Sequence, residues 1–246
     1  MIVIPMAGES RRFREAGYDR PKYMLELDGR TLFDWSALSF ASAFDSQPFL
    51  FIARDVQGTR DFIETRLRGL GVARFQIAIL DAPTAGQAET VERGLDAAGV
   101  SDDEPLDIFN IDTFRPGMDL TPPPRAADGW LEVFRTPGDN WSFIRPSNSD
   151  PYLVAECVEK RRISDLCCTG LYAFARTALF REALAAERHK PSSHELFVAP
   201  MYNHLIAAGH RIGWREVPAD DVILSGVPAE YEALKGHDLR TIYCRL

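Results

Sequence analysis

The feature that most constrains this chain is an alternation in its first 115 residues between short apolar runs and longer amphipathic stretches. Ile2-Val3-Ile4-Pro5-Met6, Phe49-Leu50-Phe51-Ile52-Ala53, residues 75–80 and Leu106-Asp107-Ile108-Phe109-Asn110-Ile111 have the length and apolarity of buried strands. Residues 31–44, 61–70 and 86–98 carry apolar side chains at helical spacing between them. Strands separated by helices of about ten residues or more are joined by crossovers, which make neighbouring strands parallel. Helices on both faces bury each strand completely, so the strands need not alternate with polar residues. The expected fold is α/β, a Rossmann-like mixed, mostly parallel sheet flanked by helices.

The pattern changes after residue 115, where Pro116, Pro122, Pro123 and Pro124 interrupt regular structure. Short strand-like pieces follow at 130–135, 141–145, 152–158 and 167–174. Helical patterns cover 176–188 and 194–208, then come a strand over 211–217 and a short helix over 228–234. No linker, low-complexity tract or internal repeat separates the two parts. The reading is one domain, 1–246, with halves 1–115 and 116–246.

Composition removes several classes of function. The 246 residues contain 28 basic and 36 acidic side chains, a net charge of −8, which argues against a nucleic-acid binder. A small anionic ligand stays admissible, because a few local Lys and Arg residues suffice to hold one. Four cysteines do not make a disulfide scaffold, and they lack the paired spacing of a zinc site. No apolar run approaches the ~18 residues of a membrane span. Met1-Ile2-Val3-Ile4-Pro5 has neither a basic lead nor a small-residue cleavage site, so a cytoplasmic location is expected. Oligomeric state is not readable, and a homo-oligomer is compatible with all of this.

The first loop carries the sharpest chemical signal. Ala7-Gly8-Glu9-Ser10-Arg11-Arg12-Phe13 leaves the first strand, and Pro21-Lys22 follows. A small-residue loop leaving a strand can turn several backbone N–H groups towards phosphates. Gly8 permits close approach and a positive φ. Arg12 can grip phosphate oxygens through two donors, and Lys22 adds a mobile point charge. The plain alternative is a tight turn before a basic surface helix. The loop lacks the Gly-Lys-Ser/Thr ending of a P-loop and the later glycines of a dinucleotide fingerprint.

Pro5-Met6-Ala7-Gly8-Glu9-Ser10-Arg11-Arg12-Phe13, followed by Pro21-Lys22-Tyr23-Met24-Leu25, resembles the signature of the sugar-phosphate nucleotidyltransferases. Ser10 stands where that family usually has its second glycine. Pro83-Thr84-Ala85-Gly86-Gln87-Ala88-Glu89-Thr90 is similar to the family's base-recognition loop, and Asn110-Ile111-Asp112 to its metal-binding strand end. Cys157-Val158-Glu159-Lys160 is similar to its acceptor-binding Glu-Lys pair, and the stretch from Thr169 and Gly170 to Phe174 to a later strand lining the acceptor pocket. Residues 195–209 resemble a helix of members linked to capsule and other surface polysaccharides.

The resemblance implies an enzyme that couples a nucleoside triphosphate to a phosphorylated sugar or similar alcohol, releasing pyrophosphate. It implies Arg12 and Lys22 as catalytic residues, and Ala7, Gly8, Glu9, Ser10 and Gln87 as nucleotide-binding. It further implies Glu159, Lys160 and Gly170 as acceptor-binding in a smaller β-rich half, and Mg²⁺ on Asp112. The family's second metal aspartate falls on Leu224 here, and Asp221 or Asp220 just upstream is the expected substitute. CTP is the donor towards which the capsule-type resemblance leans. Two competing readings are a metal-dependent glycosyltransferase using a nucleotide-sugar donor and a non-catalytic nucleotide-sensing module.

Overall fold

The structure is a computed structural model and describes residues 1–244. In chain order the elements begin with β1 (Ile2–Pro5), α1 (Arg11–Glu15), a small ribbon of β2 (Glu26–Leu27) and β3 (Arg30–Thr31), and α2 (Leu32–Leu38). β4 (Phe49–Ala53), α3 (Thr59–Leu70), β5 (Phe75–Ile79), α4 (Gln87–Ala98), β6 (Leu106–Phe109) and β7 (Thr113–Phe114) complete the first half. The second half contains β8 (Gly129–Arg135), β9 (Ser142–Pro146), β10 (Val154–Glu159), β11 (Leu166–Phe174) and α5 (Thr177–His189). It ends with α6 (Tyr202–Ala207), β12 (Ile212–Glu216), β13 (Ile223–Leu224), α7 (Pro228–Leu234) and α8 (Leu239–Cys244).

Nine strands from both halves form one sheet, with β5, β4, β1, β6, β11, β9 and β10 in order and β8 and β12 branching from β11. The pairs β1–β4, β1–β6 and β4–β5 are parallel, as the crossover argument requires. β11 runs antiparallel to β6, β8 and β9. The sheet is the expected mixed one, parallel over β5, β4, β1 and β6 and antiparallel beyond except for the parallel β8–β12 pair. β1 and β4, at its centre, are apolar and buried along their whole length because both faces are covered. On β4, Leu50 and Ile52 pack into the cluster with α4, α5 and α6, while Phe49, Phe51 and Ala53 pack into the one with α2 and α3.

Two elements differ from the sequence pattern. Residues 194–198 are not helical, and regular structure resumes only at a 3₁₀ turn over Ala199–Met201 and then α6. The cause is tertiary: Leu196 N–H donates to Ala85 C=O (3.0 Å) and its C=O accepts from Ala88 N–H (2.9 Å), which holds the segment extended against α4. The helix expected over 31–44 stops at Leu38, and a 3₁₀ turn over Ala41–Ala43 follows. α8 was not foreseen; it packs Leu239 beside Trp35 and Leu27 on the flank of the sheet.

The junction of the halves is a bulge in β11. Cys168 pairs with Val133 and Tyr172 with Leu131, so Thr169, Gly170 and Leu171 together stand opposite Glu132 alone. Glu132 is 0% and Arg115 4% exposed, and they form a bidentate ion pair (2.7 and 3.1 Å). Thr169 Oγ1 donates to the same carboxylate at 3.1 Å. Removing one member of such a buried pair strands the other charge. Glu132→Gln is therefore expected to cost about 3–5 kcal/mol in urea unfolding, and the Arg115→Met/Glu132→Leu double variant to recover most of it. A loss under about 1 kcal/mol for the single variant would show that the pair does not hold the bulge.

Candidate active site

The first loop leaves β1 with Met6 N–H still bonded to Ile52 C=O (2.8 Å), so it is anchored at the sheet. Ser10 takes the left-handed conformation (φ 50°), the role a second glycine would otherwise serve. Its Oγ accepts the Lys22 backbone N–H at 3.2 Å, which ties the loop to the Pro21-Lys22 turn. Gly8, in contrast, does not use a positive φ. A β-carbon there meets nothing within 4 Å, so its contribution is bare backbone facing open space. The Glu9 carboxylate turns to Arg54 (3.3 Å) and Arg14 (3.5 Å), bracing the loop and leaving its backbone for a ligand. α1 carries the exposed Arg12 and is held from behind by Phe13, in edge contact with Tyr18 and Tyr231.

Lys22 Nζ lies 2.5 Å from Asp112 Oδ2. Asp112 follows β6, which flanks β1 on one side while β4 flanks it on the other. The cleft between the β1 and β6 loops is thus where strand order reverses, the usual ligand site of an open α/β sheet. Burial pushes the Asp112 carboxyl up, but the charge and hydrogen bond of Lys22, with the more distant charge of Arg12, outweigh it and hold the group below the usual range. It is an anion already engaging a cation. A cavity of about 490 Å³ opens here, lined by Ala7, Gly8, Ser10, Lys22, Gln87 and Asp112 among others.

The far wall of this cavity is built by the 83–90 segment. Gly86 sits against the backbone of Leu196, where a β-carbon would fall 2.6 Å from its N and O. Gln87 Nε2 donates to Asn110 Oδ1 at 2.5 Å. Asn110 in turn packs on Gly170 (φ 101°), where a β-carbon would come within 2.6 Å of Asn110 Nδ2. Gly170 therefore acts one step behind the cavity wall, by making room for the residue that aims Gln87. Thr84 does not cap α4; its hydroxyl donates to Gly86 C=O (3.1 Å) and bonds Thr90.

An adjoining cavity of about 400 Å³ lies under the antiparallel half and shares Asn110, Asp112, Ser142, Glu159 and Tyr172 with the first. Asn203 fixes β10 on its approach to Glu159 by bonding both the N–H (2.8 Å) and C=O (2.6 Å) of Cys157. Burial raises the Glu159 carboxyl above its usual range against the opposing effects of its Ser142 hydrogen bond and Lys160, while Glu195 adds to the rise. Lys160 is not itself in either cavity wall, but its ammonium lies over the ring of Phe197, a residue that lines the first cavity, 4.6 Å from its centre, and 3.9 Å from Glu159. Asp221 does not reach the site. It sits exposed on a 3₁₀ turn over Ala219–Asp221, with its C=O accepting from Arg115 at 3.0 Å. Leu224 and Glu230 line the second cavity in its place. Asn110, Ser142, Tyr172, Phe197 and Glu230 escaped the sequence reading as individual residues, and only strand and cap positions near the quoted motifs hinted at them.

A crystal structure of a nucleoside-diphosphate-sugar pyrophosphorylase from Vibrio cholerae RC9 superposes with a TM-score of 0.90 at 46% sequence identity, over 95% of this chain and 99% of that one. The chain belongs to the nucleoside-diphosphate-sugar pyrophosphorylase family of nucleotidyltransferases. Distant structures share the fold. A Bacillus anthracis protein named as a glucose-1-phosphate thymidylyltransferase aligns at 15% identity, over 100% of this chain and 95% of its own (TM-score 0.75). The inositol-1-phosphate CTP transferase of T. maritima aligns at 14% identity over 95% and 94% (TM-score 0.71). No protein-family model and no curated protein sequence matches the chain. No helix among the described residues of this pyrophosphorylase homologue is long and apolar enough to cross a membrane.

The raised Glu159 carboxyl makes a testable statement about stability. A carboxyl whose proton is held more tightly in the folded state favours folding most below its unfolded pKa, and loses that contribution as pH rises through the folded value. Glu159→Gln is expected to melt above wild type at pH 7.5, with the two curves converging towards pH 4. Equal melting temperatures at both pH values would show that the buried charge carries no stability cost.

Proposed function

We propose that the protein is a Mg²⁺-dependent nucleotidyltransferase that joins a nucleoside triphosphate to a phosphorylated sugar or related alcohol in the cytoplasm. The observation that carries this reading is the Lys22–Asp112 pair at the strand-order reversal, beside a loop of open backbone. A phosphate oxygen of the acceptor attacks the α-phosphorus in line; the bond from that phosphorus to the bridging oxygen breaks, and pyrophosphate leaves with the electron pair. Lys22 steadies the α-phosphate or the acceptor phosphate, and Arg12 grips the departing pyrophosphate. The backbone of residues 7–10 receives the triphosphate, and Gln87, aimed by Asn110, reads the base edge. Glu159, Ser142 and Tyr172 line the acceptor end. Asp112 is the residue to hold Mg²⁺, a hard cation suited to an ionised carboxylate plus waters and phosphate oxygens. When bound, the ion neutralises phosphate charge that the protein's few cations cannot cover alone.

CTP is the donor to test first, and a surface polysaccharide the destination of the product. Both rest on the resemblance of residues 195–209 to capsule-type members. The structural relatives named for thymidylyl and for CTP transfer share one fold, so the fold itself does not choose the base.

Unfolding midpoints measured with CTP, UTP, dTTP, GTP and ATP identify the donor without knowledge of the acceptor. A nucleotide at 100 times its Kd adds about 2.7 kcal/mol. Lys22→Ala is expected to lower pyrophosphate release at least about a hundredfold, or about 3 kcal/mol of barrier. Turnover near wild type in that variant would remove Lys22 from the reaction.

A further inference from the structure

Leu224 stands where the family resemblance puts the second metal aspartate, and Asp221 faces away. The structure offers another carboxylate. β13 pairs with β7, setting Leu224 beside Thr113, and Ser225 N–H and Oγ both bond Asp112 C=O (2.9 and 3.1 Å). This brings Gly226 directly against Asp112. A β-carbon on Gly226 would lie 3.0 Å from Asp112 Oδ2 and 3.6 Å from Glu230 Oε2. Both carboxylates therefore border the space left by the missing side chain of residue 226. Glu230 is held in place by Gly226 N–H (2.7 Å) and Val227 N–H (3.2 Å), both donating to Oε2; among the described residues Oε1 accepts no hydrogen bond. Lys22 meanwhile places a cation on the Asp112 side of the same space.

We propose that Glu230 replaces the missing aspartate as the second protein carboxylate of the divalent-cation site, with Gly226 providing the cradle. The inference rests on the metal-dependent reading above. Two carboxylates with the remaining positions left to water and phosphate oxygens suit Mg²⁺. The cap geometry explains how a helix-capping residue serves this role. The backbone donors fix one oxygen, so the other is presented without loss of rotamer freedom.

The probe is Mn²⁺ alone, followed by electron paramagnetic resonance in a Lys22→Ala background, where Asp112 is no longer engaged by the ammonium. Lys22→Ala is expected to bind the ion. Adding Glu230→Gln, which keeps an oxygen for the two backbone donors, should weaken binding at least tenfold, as should adding Asp112→Asn. Gly226→Ala, which fills the cradle, should do the same, and Asp221→Asn should leave affinity unchanged. Thermal melts confirm that each variant is folded. Undiminished Mn²⁺ affinity in Lys22→Ala/Glu230→Gln, with loss in the Asp112→Asn pair, would overturn the assignment and leave Glu230 as a helix cap. No binding to Lys22→Ala itself would overturn the metal reading and this inference with it.

Discussion

The rest of the structure depends on one buried carboxylate, Glu132. A fully buried anion must be matched by a cation and hydrogen bonds, and Arg115 and Thr169 supply both. To bring Thr169 there, β11 places three residues opposite one, and Gly170 absorbs the turn in a conformation that side chains resist. Leu171 to Phe174 pair with β6, whereas Cys167 pairs with β9. The bulge is therefore where β11 passes from β9 to β6 as its partner on that edge. The cavities open at that step, and Asn110 occupies the room left by Gly170.

The same ion pair reaches the opposite wall. Arg115 extends past Glu132 to the Asp221 carbonyl and so holds the turn that leads into β13. β13 then sets Gly226 against Asp112. Asp112, the Gly226 cradle and, through Asn110, Gln87 are thus positioned by a single buried network. Its members touch none of the reacting groups proposed above.

Charge is arranged along the cleft in a way the overall balance conceals. The protein is acidic, yet Lys22 lines the first cavity and Arg12 the second, while Glu159 lines both and Glu195 the first. Glu9, by contrast, is neutralised by Arg54 and Arg14, so the loop presents backbone donors without a competing anion. Burial raises the Glu159 carboxyl against its Ser142 hydrogen bond and Lys160, and a charge there carries a cost in stability that a cavity wall accepts and a core does not.

The parallel half of the fold was legible because its cause is local. Apolar strand-length runs separated by helical spacing admit only crossover connections, and the 7–10 loop and the Asn110-Ile111-Asp112 segment leave the carboxyl ends of β1 and β6, which any such sheet gathers on one edge. Residues 194–198 read as helix because their apolar spacing ignores the two backbone bonds Leu196 makes to a segment more than a hundred residues away. The seat of Lys160 over Phe197, the distance of Asp221 and the approach of Glu230 were likewise unreadable. Each depends on long-range register: the pairing of β13 with β7, the bulge in β11, and the packing of Phe197 beside β10. The sequence by itself determined the parallel part of the sheet and singled out the 7–13 loop, Lys22 and Asp112, since these follow from periodicity, from motif and from where a parallel sheet places its loops; that Lys22 and Asp112 pair with one another came from the tertiary structure. Only the tertiary structure decided which other side chains face that pair, because contacts between distant segments are set by packing and pairing that no local pattern encodes.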